Sequence, residues 1–184
     1  MGSSDGIPIN LIPIVYLINM LKYVNYDVVF QELPNETTLA INISNCPCHC
    51  KGCHSSYLAE DIGELLTERE LEKLIRENKG ITCISFMGGD SDPEEINRLA
   101  QHVPYCYGGE ELLIAWYSGR QELSKDIDIK NFNFIKLGPY IEELGGLKSP
   151  TTNQRMYEVK MSRELDEDGN PVYGLEDITN LFWK

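Results

Sequence analysis

Residues 38–53 read Thr38-Leu-Ala-Ile-Asn-Ile-Ser-Asn-Cys-Pro-Cys-His-Cys-Lys-Gly-Cys53. The first half alternates around Leu39, Ile41 and Ile43, the period of a strand with one buried face. The second half packs Cys46, Cys48, Cys50 and Cys53 into the loop that follows. The chain has six cysteines, and only Cys83 and Cys106 stand apart. A disulfide framework spreads its cysteines so that each bridge closes a long loop. Bridges between thiols two or three residues apart constrain almost nothing. Thiolates converging on one metal centre are the better physical reading of this loop.

Outward from this stretch, strand and helix signals alternate. Tyr26–Leu33 reads as a strand before it. Thr67–Asn78 reads as a helix with Thr67 as its cap, Glu70 completing a capping box and Gly80 as its stop. Ile81–Phe86 is a short strand of the buried type. Asp92 caps a second helix with Pro93 at its first position. Leu112–Tyr117 and Phe132–Leu137 are further strands, and Arg155–Met161 is a last one. Asp168–Gly169 marks a tight turn, and the terminal LEDITNLFWK is expected to form a short helix. This order predicts an α/β fold with a parallel sheet and crossover helices. Too few strands are present to close an eight-stranded barrel. A small, open, partial β/α barrel fits the length, with ligands at the carboxyl ends of its strands.

The 184 residues suffice for one domain. We read residues 1–19 as an extension and 20–184 as the domain. The apolar stretch Ile7–Leu21 does not read as a signal peptide, since it lacks a basic start and carries Pro8, Asn10, Pro13 and Asn19. It is also shorter than the roughly 20 apolar residues a membrane helix needs. A cytoplasmic protein without a membrane partner is expected. With 29 acidic and 16 basic residues, the net charge of −13 argues against nucleic acid as a partner.

Cys46, Cys50 and Cys53 have the spacing CxxxCxxC. Three thiolates on one loop can hold three irons of a 4Fe–4S cluster and leave the fourth iron open to a substrate. Zinc is the alternative, with Cys48, His49 or His54 as a fourth ligand. Cys48 reads as a spectator thiol, Cys83 as a core residue, and Cys106 has no partner that the sequence names. Met87-Gly88-Gly89-Asp90 follows a strand and precedes a helix, so its glycines let the backbone approach a ligand closely. Taken alone, Gly88-Gly89-Asp90 after a strand is an ordinary turn.

The cysteine spacing, followed one β/α unit later by Gly88-Gly89-Asp90, resembles radical S-adenosylmethionine (radical SAM) enzymes. Four further segments narrow the resemblance: Cys53-His-Ser-Ser56, Ala115-Trp-Tyr-Ser-Gly-Arg120, Lys136-Leu-Gly-Pro-Tyr140 and Thr151-Thr-Asn-Gln-Arg155. From about Met20 to Met161 the chain is similar to the activating proteins of the anaerobic ribonucleoside-triphosphate reductase. The resemblance implies an oxidoreductase that carries a 4Fe–4S cluster on Cys46, Cys50 and Cys53 and cleaves S-adenosylmethionine (SAM) reductively. The 5′-deoxyadenosyl radical then takes a hydrogen atom from a glycine of the reductase, leaving a glycyl radical.

The same resemblance implies SAM contacts. Gly88, Gly89 and Asp90 stand where the family binds the SAM amino group, although Asp90 replaces a glutamate. Gly52 and His54 flank the last ligand and contact SAM through backbone atoms; an exposed loop histidine is the equal alternative for His54. Ser118 is placed for the ribose or carboxylate, or else is a turn residue. The family often has an acidic residue beside the glycine of the Gly138 segment. This chain has Leu137 there and Lys136 before it, which makes Lys136 a candidate cation for the SAM carboxylate. Asn153, Gln154 and Arg155 close the site or dock the reductase, or else form a capped loop. The implied partners are the large reductase subunit and a flavodoxin- or ferredoxin-type electron donor. Another glycyl radical enzyme as target, and a non-catalytic zinc or iron–sulfur module, are the competing readings.

Overall fold

The computed structural model describes residues 20–30, 32–106 and 111–183. The expected extension 1–19, and with it most of Ile7–Leu21, lies outside the described residues. Eight strands form one sheet: β1 (Lys22–Val29), β2 (Thr38–Ile43), β3 (Glu64–Leu65), β4 (Cys83–Met87), β5 (Leu113–Tyr117), β6 (Phe134–Leu137), β7 (Arg155–Leu165) and β8 (Pro171–Asp177). Helix α1 (Glu68–Glu77) precedes β4, and α2 (Pro93–His102) joins β4 to β5. The strand order is β3-β1-β2-β4-β5-β6-β7-β8. The four central strands run parallel, and each outer pair is antiparallel. The sheet is therefore mixed rather than parallel throughout.

Period two along the central strands divides the core. Ile84 and Phe86 of β4, with Ile114 and Trp116 of β5, join Ile96 and Leu99 of α2 and Leu71, Leu74 and Ile75 of α1 in one cluster. Cys83 and Ala115 face the other way and meet Leu33, Met156, Ile178 and Phe182. Both faces of the centre are thus covered, which is why these strands read as continuous apolar runs. Cys83 is fully buried, as expected of a core residue.

The helix starts follow local chemistry. Thr67 Oγ1 accepts from Glu70 N at 3.1 Å, and the Asp92 side chain accepts from Glu95 N at 3.1 Å. The capping box at α1 is only half made. The Glu70 carboxylate accepts instead from Tyr23 Oη and Lys73 Nζ, both at 2.9 Å.

Two expected elements are corrected. The first strand ends at Val29, not Leu33, because the chain turns at Pro34 and Asn35, the latter at φ 68°. Leu33 is buried in the second cluster from outside the strand. The C-terminal segment is not a helix. β8 pairs with β7 as a hairpin, and a single 3-10 turn, Thr179–Phe182, follows. Residues Leu175–Asp177 of that segment pair with Tyr157–Val159 of β7, so backbone ladder bonds replace the expected helix. The turn is fixed by Asp166 Oδ1, which accepts from Asp168 N at 3.0 Å and Asn170 N at 2.8 Å. Among the described residues no helix is long and apolar enough to cross a membrane.

Candidate metal centre

The segments after β2, β4, β5 and β6 meet at the carboxyl ends of the parallel strands. The cysteine loop is fastened where it leaves β2: Asn45 N donates to Glu60 O at 3.0 Å and Cys46 N to Leu58 O at 2.9 Å. A turn closed by Cys53 N to Cys50 O at 3.2 Å ends it. Asn45 and His49 hold left-handed φ of 59° and 44°, backbone that non-glycine residues adopt when the surroundings demand it. All four loop cysteines are free and half-buried. The ligand atoms of Cys46, Cys48 and Asp90 lie within 4.8 Å of one another. Burial pushes the Cys46 thiol up, and burial with the nearby Asp90 carboxylate pushes Cys48 up to about 12. These thiols are neutral until a cation draws off their protons.

Asp90 is fully buried. Its carboxylate accepts from Ser118 Oγ at 2.6 Å and Gly119 N at 2.8 Å, and Cys48 Sγ approaches it at 3.8 Å. The backbone around it is equally engaged. Gly88 N donates to Tyr117 O at 3.0 Å, and Trp116 Nε1 donates to Gly88 O at 2.8 Å. Gly89 has φ 85°, and a Cβ there would stand 2.4 Å from Ile96 Cδ1, so only glycine fits. The loops after β4 and β5 are thereby locked together under the cysteines.

Lys136 is buried on β6 and donates to Ser118 O at 3.2 Å and Gly138 O at 2.6 Å. Burial takes its ammonium down to about 8, while Asp90 and the thiols of Cys50, Cys48 and Cys53 pull it back up. A buried cation thus stands behind the thiols, where it would offset the charge of a thiolate-bound metal.

The segment after β6 lies over the loop. Asn153 Nδ2 donates to Pro139 O at 2.9 Å, and Asn153 Oδ1 is buried without a partner among the described residues. Gln154 is buried beside Gly138. The His54 and Tyr140 rings are 5.6 Å apart, and the Glu142 side chain covers Gly52. Arg155 points elsewhere: Nη1 donates to Thr152 O and Gln154 O at 2.8 and 2.9 Å, and Nε lies 3.6 Å from Asp177 of β8.

Three participants went unassigned in the sequence. Arg120 donates from Nη2 to Asp90 O at 2.7 Å, and Tyr140 and Glu142 touch the cysteine loop. Arg120 was findable, because it ends the Ser-Gly turn after a central strand. Tyr140 ends the Lys136–Tyr140 segment but had no role assigned, and nothing local marks Glu142.

The donor set fits an iron–sulfur cluster: four free thiols on one loop, with a buried ammonium near them. A family model described as a 4Fe-4S single cluster domain matches residues 37–135, more than half of the chain. The match runs from β2 into β6 and includes the cysteine loop, Gly88-Gly89-Asp90 and Ser118. No curated protein and no solved structure matches the chain.

Proposed function

This chain belongs to the 4Fe-4S single cluster domain family, and from that premise we propose that it is a radical SAM activating enzyme for an anaerobic, class III ribonucleoside-triphosphate reductase. The observation that carries the reading is one juxtaposition. The CxxxCxxC loop lies against Asp90 of the Gly-Gly-Asp turn, and Asp90 in turn holds Ser118. Cys46, Cys50 and Cys53 are the three cluster ligands in this reading. When bound, the cluster supplies the electron that breaks a carbon–sulfur bond of SAM.

The rest is done by the chain. Asp90 is a positioning residue: its carboxylate orients the Ser118 hydroxyl and the Gly119 N–H. In this reading Gly52 and His54 contact SAM from the cysteine loop, while Gly88 and Gly89, whose backbone is engaged or buried, shape the turn that holds Asp90. Lys136 provides positive charge for the SAM carboxylate and the thiolates. Asn153 and Gln154 hold the segment that covers the loop, and Arg155 ties it to β8. A flavodoxin- or ferredoxin-type donor gives one electron. SAM leaves as methionine and 5′-deoxyadenosine, the hydrogen of the latter coming from a glycine of the reductase. The strand order runs from β3 to β8 without returning on itself, and an open sheet suits a substrate of that kind, since a protein segment must reach the site.

The test is to rebuild the cluster without oxygen, add dithionite, SAM and the reductase, and record the EPR spectrum. A glycyl radical doublet together with 5′-deoxyadenosine is the expected result. Deoxyadenosine without the doublet would move the target to another glycyl radical enzyme. The Cys46–Cys48–Asp90 grouping favours a second reading, a non-catalytic metal module. Iron or zinc bound with no SAM cleavage would establish that one.

A further inference from the structure

Cys106 acquires partners only in the fold. Glu68 and Glu72 are four residues apart on one face of α1, while His102 ends α2 and Cys106 follows it across the 3-10 turn Val103–Tyr105, which returns the thiol to the His102 carbonyl. α1 and α2 pack in one layer against the sheet, and this brings the two pairs together. His102 Nε2 lies 2.9 Å from Glu72 Oε1, and His102 Nδ1 lies 3.8 Å from Glu68 Oε1. Cys106 Sγ stands against His102 O at 3.3 Å. The ligand atoms of Glu72, His102 and Cys106 all fall within 4.8 Å of one another, and all three residues are half-buried.

We propose that Glu72, His102 and Cys106 form a zinc site, separate from the cysteine loop, with Glu68 steering the His102 ring. One thiolate, one imidazole and one carboxylate are a donor set suited to zinc, a borderline-soft ion. In a tetrahedral zinc site the ligand atoms stand about 3.3–3.8 Å apart. To reach that geometry the His102–Glu72 pair opens from 2.9 Å by about 0.4 Å, and the pairs to Cys106, within 4.8 Å now, close by at most about 1 Å. The short His102–Glu72 contact is where the ion enters: Nε2 and Oε1 share a hydrogen now and share the metal instead. The ring proton then sits on Nδ1, 3.8 Å from Glu68 Oε1, an oxygen that Arg98 Nη1 also holds; closing that gap gives the carboxylate–histidine–metal arrangement that fixes a ligand's tautomer. The Cys106 thiol releases its proton to solvent on binding. Three protein ligands leave a fourth position for water, and the ion ties the end of α2 to α1.

The test uses the full chain with its cluster assembled, zinc chloride as the only added metal, and a chromophoric chelator as competitor. The wild type is expected to hold one zinc more than Cys106→Ser or His102→Ala. Glu68→Gln is expected to weaken that zinc by about 10–100-fold without abolishing it. The chain with all four loop cysteines changed to serine is expected to keep it. Equal zinc in wild type and Cys106→Ser, or complete loss in the loop variant, overturns the proposal. A readout that needs no variant covers misfolding. Zinc is expected to slow alkylation of Cys106 at least tenfold, followed by peptide mass spectrometry, and an unchanged rate overturns the site.

Discussion

Ser118 Oγ donates to Asp90 Oδ1 across 2.6 Å, and both side chains are buried. The pair joins the segment after β4 to the segment after β5, directly beside Cys48. Removing one partner strands the other inside the protein, which costs about 1–3 kcal/mol. Asp90→Ala and Ser118→Ala are each expected to destabilise by that order. The double variant is expected to cost less than the two singles added, because they share one bond. Urea unfolding of the four chains measures it, and strict additivity would show that the bond contributes nothing.

Cys46, Cys50 and Cys53 are expected to be individually required for the cluster and Cys48 dispensable. After anaerobic reconstitution the wild type and Cys48→Ser should carry about four irons per chain, the content of a single cubane. Each of the other three alanine variants should lose most of its iron and all SAM cleavage. Iron analysis beside a deoxyadenosine assay checks this, and a cluster-free Cys48→Ser would replace one of the assigned ligands.

Lys136 makes the stability of the metal-free chain depend on pH. Burial takes its ammonium from 10.5 down to about 8. Between those values the unfolded chain holds a proton that the folded chain has released, so this residue's contribution to stability rises with pH. Below about 8 the burial penalty is fully present. Across the window the gain is roughly 3 kcal/mol. Unfolding of wild type and Lys136→Met at about pH 7 and about pH 10 isolates it. The wild type should gain relative to the variant, and parallel pH profiles would contradict the buried ammonium.

Gly89 and Gly80 share a left-handed backbone, at φ 85° and 83°, but differ in surroundings. A Cβ at Gly80 meets nothing within 4 Å, whereas one at Gly89 runs into Ile96 of the core. Gly80→Ala is expected to cost about 1 kcal/mol for the backbone alone. Gly89→Ala should cost that plus about 1–3 kcal/mol of overpacking and should also disturb SAM cleavage. Equal melting temperatures for the two variants would remove the steric argument.

Features that depend on neighbours along the chain were legible in the sequence. The caps at Thr67 and Asp92 bond three residues ahead, so their spacing is written in the chain. The thiols of the cysteine loop lie within eight residues, close enough to declare a metal centre. β4 and β5 announced themselves as apolar runs because both of their faces are covered, and β2 by the alternation of Leu39, Ile41 and Ile43. The terminal LEDITNLFWK reads as a helix in the sequence because its pairing with β7 is a contact between segments, which its own residues do not announce.

The tertiary structure decided whatever joins distant segments. It gave Glu70 to Tyr23 rather than to its own cap, and it set Asp90 under Ser118 and Gly119. It laid Tyr140 and Glu142 over the cysteine loop and surrounded Cys106 with His102 and Glu72. The sequence alone determined which chemical groups this protein carries and the local order in which they come, since caps, turns and thiol spacing act over one or two turns of chain. Only the fold determined which of them meet, because those contacts arise when apolar faces far apart in sequence are buried against one sheet.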